Sequence, residues 1–269
     1  MARLMTLRHR LLLGTTAVAI SLFAYAGVAL GQATQYPLPT PDPSCPPRQN
    51  TINGTEINDL RTGTPLNDAM FGRGGDDIFE GEAGDDCLMM GTGNDRGDGG
   101  EGDDRVIGEE GVDRLGGNDG DDRISGQGGD DRISGGDDND RLNGGAEDDT
   151  MKGGNGRDRA TGGGGDDTIS MGGAADRARG SSGDDKVFGG PQGDRLSGGS
   201  GADTVKGDSG DDRLAGNAGG DRLVGGSGRD RISARDGTRD RVNCGTGRDV
   251  AIVDNADRVS RDCEIVRVG

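Results

Sequence analysis

Tryptophan is absent from this 269-residue chain, aromatic residues make up 2% of it, and its single histidine, His9, stands near the amino terminus. Each shortage closes off a class of function. One histidine leaves the serines without a base beside them and leaves no second imidazole to share a zinc ion, so no catalytic constellation forms and no enzymatic activity is expected. With almost no aromatics and a net charge of −18, no basic face with stacking aromatics is expected to meet phosphates, which argues against nucleic acid as a partner. Apolar residues reach only 29%. Together with that charge this is a disordered composition, and an ordinary globular core is not expected. Glutamate is also scarce. With eight of them in the chain, the terminal glutamate of an EF-hand loop is missing. Gly-x-Gly strings are common, but no βαβ unit surrounds them to make a dinucleotide site.

What the chain has in excess is glycine, with 57 residues, and aspartate. From Gly54 to Ser233 a nine-residue unit repeats twenty times without insertion or deletion. Numbering each unit from its first residue, the sixth place is always aspartate. It begins with Asp59 and Asp68 and continues through Asp77, Asp86, Asp95, Asp104, Asp113, Asp122, Asp131, Asp140, Asp149, Asp158, Asp167, Asp176, Asp185, Asp194, Asp203, Asp212, Asp221 and Asp230. From Gly72 onward the first place is glycine except at Met90 and Met171, and the fourth is glycine except at Asp138, Glu147, Ala174 and Gln192. Fixed glycines signal positive φ or close backbone approach. From Gly72 onward the eighth place is apolar apart from Gly97, flanked for the most part by polar residues that include arginine at the seventh place. That alternation predicts a three-residue strand with one buried face, joined by a six-residue Gly-Asp turn. The arginines are expected on the solvent face, screening carboxylates.

Units such as Gly126 to Ser134 (Gly-Gln-Gly-Gly-Asp-Asp-Arg-Ile-Ser) and Gly198 to Lys206 (Gly-Gly-Ser-Gly-Ala-Asp-Thr-Val-Lys) resemble the G-G-x-G-x-D-x-U-x nonapeptide of RTX, or haemolysin-type, calcium-binding proteins. The resemblance covers about two-thirds of the chain. It implies an all-β fold, a parallel β-roll or calcium-binding β-solenoid, in which two units make one coil and turns alternate sides. Multiple calcium ions would sit between stacked turns, held by the sixth-place carboxylates from Asp77 to Asp230 and by backbone carbonyls. The chemistry of the residues agrees, because calcium takes six to eight oxygen ligands. Stacked without cations, the aspartates would stand about 5 Å apart and repel one another.

Around the array the chain divides into four parts. Residues 1–33 read as an export signal, with Arg3, Arg8 and Arg10 before the apolar run Leu11 to Leu30 and small residues to follow; an uncleaved anchor is the alternative. Residues 34–53 form a Pro-rich spacer. Residues 54–233 are the repeat β-roll, with two looser first units, of which the first, residues 54–62 with Arg61 in the apolar place, reads as a capping turn. Residues 234–269, where the aspartate spacing breaks, read as a small C-terminal β cap. Four cysteines in an exported chain suggest disulfides, with Cys244 and Cys263 the preferred pair and Cys45 and Cys87 left over. The best reading is a secreted or cell-surface calcium-binding repeat protein with no membrane contact after signal removal. Its partner, whether a protein or the cell envelope, is not legible. A surface spacer or adhesive module rigidified by calcium, and a calcium-binding accessory of a separate secreted enzyme, are the alternatives.

Two units are expected to be weak. Met171 to Arg179 has Ala174 in a place that needs a left-handed conformation and only Ala178 for a core, and Gly97 is expected to leave a packing defect.

Overall fold

The computed structural model describes residues 50–269. The export segment and nearly all of the spacer, with Cys45, lie outside the described residues. From Asn50 to Val268 the chain forms 25 strands that alternate between a 13-stranded and a 12-stranded sheet. Each strand pairs in parallel with the strand two along, so that Ile124 stands opposite Leu142 and Leu142 opposite Ala160. One coil is therefore two nonapeptides, and the fold is an all-β parallel β-solenoid consistent with a β-roll.

The strands are longer than the alternation predicts. Arg123–Gly128, Arg132–Asp137 and Arg141–Ala146 each run six residues across the unit boundary, leaving three-residue turns. The reason lies in the first-place glycine, which continues the inward and outward alternation. In Arg132–Asp137 the seventh-place Arg132 is exposed, Ile133 buried, Ser134 exposed and Gly135 buried. Two inward positions per strand, one apolar and one glycine, bring the sheets together over a thin core. Its buried residues run as columns from Met70 and Phe79 through Leu115, Ile133, Leu142 and Leu196 to Ile232 and Val253. Burying each such side chain stabilises the coil by roughly 1.5–3 kcal/mol.

Backbone conformation departs from expectation in one respect. The left-handed places are the second and the fourth, as at Gln127 (φ 82°) and Gly129 (φ 112°), while the first-place glycine is needed for close approach. A Cβ on Gly126 would meet Asp131 Oδ2 and the Gly144 carbonyl oxygen at under 3 Å. Met90 and Met171, which stand in that first place, are instead fully buried core residues.

The solenoid does not stop where the nine-residue period does. Arg222 pairs with Arg241 and Arg231 with Val250, so the turn around Gly237 absorbs one extra residue while both sheets continue. The last pairings shorten, Arg241 with Arg258 and Val250 with Ile265. Cys244 and Cys263 form a disulfide with a Cα–Cα distance of 5.1 Å inside these final coils. Cys87, buried in the strand Cys87–Thr92, is also disulfide-bonded.

Candidate metal centre

Each sixth-place aspartate ends a three-residue turn, and its side chain points into the roll. Asp77 to Asp230 are all between 0 and 2% exposed, and an eighteen-residue coil brings them into two straight rows, one along each edge. Within a row, Oδ1 of each aspartate accepts the backbone N–H of its counterpart one coil earlier. Asp113 N–H donates to Asp131 Oδ1 at 2.8 Å, and Asp131 N–H to Asp149 Oδ1 at 2.9 Å.

The other oxygen has no such partner. From Asp95 to Asp230, Oδ2 is buried and accepts no hydrogen bond. Beside the first-place Cα of its own unit, it shares space with the first-place carbonyl of the next coil, as Asp131 Oδ2 does with Gly144 O and Asp167 Oδ2 with Gly180 O. An unpaired buried acceptor costs about 1–3 kcal/mol, more when charged. Sixteen such groups in two rows are a strong demand for positive charge. An oxygen-seeking cation fits this donor set of carboxylates and peptide carbonyls. Among the described residues no three acidic, histidine or cysteine side chains converge to hold a metal, so backbone carbonyls are needed to complete any coordination shell.

The protonation of these carboxyls reports the same imbalance. Asp104 is pushed from 3.8 up to about 8, by burial first and then by the carboxylates of Asp122, Asp86 and Asp85, against the opposing hydrogen bond from Asp86 N–H. Asp140 likewise rises to about 8, with burial the largest cause and Asp122 and Asp158 adding to it. Asp113 rises to about 6 through burial and the charge of Asp131.

The first two units are built differently. Asp59 Oδ2 accepts Thr55 N–H at 2.6 Å and Asp68 Oδ2 accepts Thr64 N–H at 2.5 Å, so threonine donors satisfy the oxygen that stays open elsewhere. At the other end, Asp240 and Asp249 continue the rows. They accept the N–H groups of Asp221 and Asp230, both at 2.8 Å, and keep a buried, unpaired Oδ2. Sequence reasoning missed these two because the step from Asp230 to Asp240 is ten residues and breaks the period. The available signal was the Asp-Arg-Val run at Asp240 to Val242, which matches the Asp-Arg-Leu and Asp-Arg-Ile steps inside the array.

A second ladder also escaped the sequence reading. At the fifth place, exposed aspartate or asparagine Oδ1 accepts the N–H one coil later. Asp148 takes Asp166 N–H at 2.6 Å and Asp166 takes Asp184 N–H at 2.7 Å. Fifth-place side chains reach forward and sixth-place side chains reach back, which stitches each turn to both neighbours.

The arginines lie toward solvent, as expected. Beside the hydrogen bonds from Asn139, Arg141 and Arg123 help hold the exposed Asp121 low, and in the buried rows Arg157 opposes the upward shift that burial gives Asp176. The described ion pairs are Arg61 with Asp59, Lys206 with Asp208 and Arg229 with Asp211, and none involves an aspartate from Asp77 onward in the sixth place. Seventh-place arginines point outward and the carboxylates inward, on opposite faces of the backbone.

No curated protein matches this sequence. A family model described as the RTX calcium-binding nonapeptide repeat matches residues 62–97, 89–124, 116–151, 143–177, 171–205, 206–239 and 215–251. Those stretches overlap or abut over the same coils that carry the two aspartate rows, and the chain belongs to the RTX calcium-binding nonapeptide-repeat family.

Proposed function

We propose that this is an exported calcium-binding protein that folds into its roll when calcium fills the aspartate rows. The observation that carries the reading is the unbroken series of buried Oδ2 atoms without a hydrogen-bond donor, from Asp95 to Asp249. Sixth-place Oδ2 atoms and first-place carbonyls would hold the ions, and folding and metal binding would be one event, because the apolar core alone is thin. No catalytic role is assigned to any residue. Export is supported by the basic and apolar start of the chain and by the disulfide at Cys244 and Cys263, which suits an oxidising compartment.

Circular dichroism of the protein with calcium and with chelator tests the proposal. A coil-to-β transition is expected, with half-saturation near ~10⁻⁴–10⁻³ M. Magnesium should not replace calcium, since it demands a smaller octahedral shell and keeps its waters. β content that survives exhaustive chelation at neutral pH overturns the proposal.

A further inference from the structure

The arginines that calcium leaves unused are unevenly placed. From Arg105 to Arg231, eight successive strands of the 13-stranded sheet carry arginine at the seventh place, in register with one another. The same place on the 12-stranded sheet is filled by Thr150, Thr168, Lys186 and Thr204 through the middle coils. The fold therefore does not require arginine there, and like charges directly opposite one another are destabilising.

The charge is most concentrated between Arg141 and Arg195. Toward either end of this edge the fifth place next to the arginine row carries Asp103, Asp121 and Asp211. The carboxyl of Asp121, for instance, is held low by its hydrogen bonds from Asn139 and by Arg141 and Arg123. In the middle coils that place is Arg157, Ala175 and Gly193, and the ninth place adds Arg179 beside Thr161. Arg157, Arg159, Arg177 and Arg179 are all exposed, and among the described residues none is in an ion pair. On a chain of net charge −18, this is a basic strip with no acid at the neighbouring fifth places from Arg157 to Gly193.

We propose that this strip binds a linear polysaccharide carrying about one anionic group per sugar, laid along the roll axis. Parallel strands set one guanidinium every ~4.8 Å in a straight row, and the guanidinium fork matches carboxylate and sulfate oxygens. The outward neighbours Asn143, Thr161 and Ser197 are small hydrogen-bonding groups suited to sugar hydroxyls. The large exposed apolar residues, Ile57, Leu60, Leu66, Ile78, Val112, Val266 and Val268, all lie away from the strip. Without aromatic or apolar side chains it offers neither a stacking surface for bases nor a wedge for a lipid interface.

The test is retention of the calcium-folded, full-length protein on immobilised chondroitin sulfate. Binding is expected at low salt and should fall as salt rises. The triple substitution Arg159→Ser, Arg177→Ser, Arg179→Ser should weaken it roughly tenfold, with circular dichroism confirming the roll. Arg114→Ser, Arg132→Ser, Lys186→Ser on the other sheet removes the same charge and should leave binding within about twofold. The proposal is overturned if the first triple binds like the unaltered protein or if the second loses as much. Competition by neutral dextran, or tighter binding to oligothymidylate or to phosphatidylglycerol vesicles, also overturns it.

Discussion

At Gly97 the core column of the 12-stranded sheet has no side chain. A Cβ there would stand 2.9 Å from Val106 Cγ1, 3.1 Å from Met90 Sδ and 3.4 Å from Leu115 Cδ2. The expected packing defect is therefore absent, because Met90, in a first place that is otherwise glycine, has moved into the space. Met171 and Ala178 repeat the exchange in another unit, where both residues are buried and the large side chain has moved from the eighth place to the first. Two departures that look independent along the sequence conserve core volume together. Met90→Ala should cost about 2–5 kcal/mol by opening a cavity, and Gly97→Leu about 1–3 kcal/mol by overpacking. The double variant, which restores the regular distribution of side chains, should recover most of both losses in chemical denaturation at saturating calcium. Strictly additive losses would show that the two residues do not share one space.

Strand and turn lengths show what a period can and cannot reveal. The repeat made the inward eighth place and the carboxylate places legible, because each depends on one residue type at one offset, while the two-unit coil was what the resemblance implied. Glycine hid the rest. It marks close approach at Gly126 and positive φ at Gly129 with the same letter, so neither the six-residue strands nor the left-handed second place was readable. Ala174 illustrates the error, since it stands in the left-handed fourth place but does not adopt positive φ, and the expected strain is relieved by a locally altered turn. The unit Met171 to Arg179 is still the weak one, for a different reason. On its edge Asn139 Oδ1 accepts Arg157 N–H at 3.0 Å, and the forward stitching resumes only where Asp211 accepts Arg229 N–H at 3.0 Å. Arg157, Ala175 and Gly193 between them have no side-chain acceptor to offer. Limited trypsin digestion just below calcium saturation should cut first at Arg157, Arg177 or Arg179, and Ala175→Asp should slow that cut by restoring a link of about 0.5–1.5 kcal/mol. First cleavage between Gly99 and Ser134, where both ladders are nearly continuous, would show that the stitching does not rank the coils.

For the roll as a whole, the two carboxylate rows make protons and calcium competitors. Besides Asp104 and Asp140, burial above all raises Asp122, Asp149, Asp185, Asp194 and Asp221 to about 7 from an ordinary 3.8. A carboxyl that titrates higher when folded than when unfolded leaves the folded chain holding more protons between those two values. The calcium-free roll is then most stable below about pH 3.8 and loses stability as pH rises through about 6 to 8. Calcium inverts the dependence, because the carboxylates must lose their protons to bind it. Acidifying the chelated protein from about pH 8 to about pH 5 should raise its β content, with protons neutralising the rows as the metal otherwise would. Over the same range, the calcium concentration needed for half-folding should increase as pH falls, and calcium added to unbuffered protein near pH 7 should release acid. A chelated chain that loses β structure on mild acidification would mean that charge in the aspartate rows does not limit folding. The thin core or the arginine strip would then be the part that limits it.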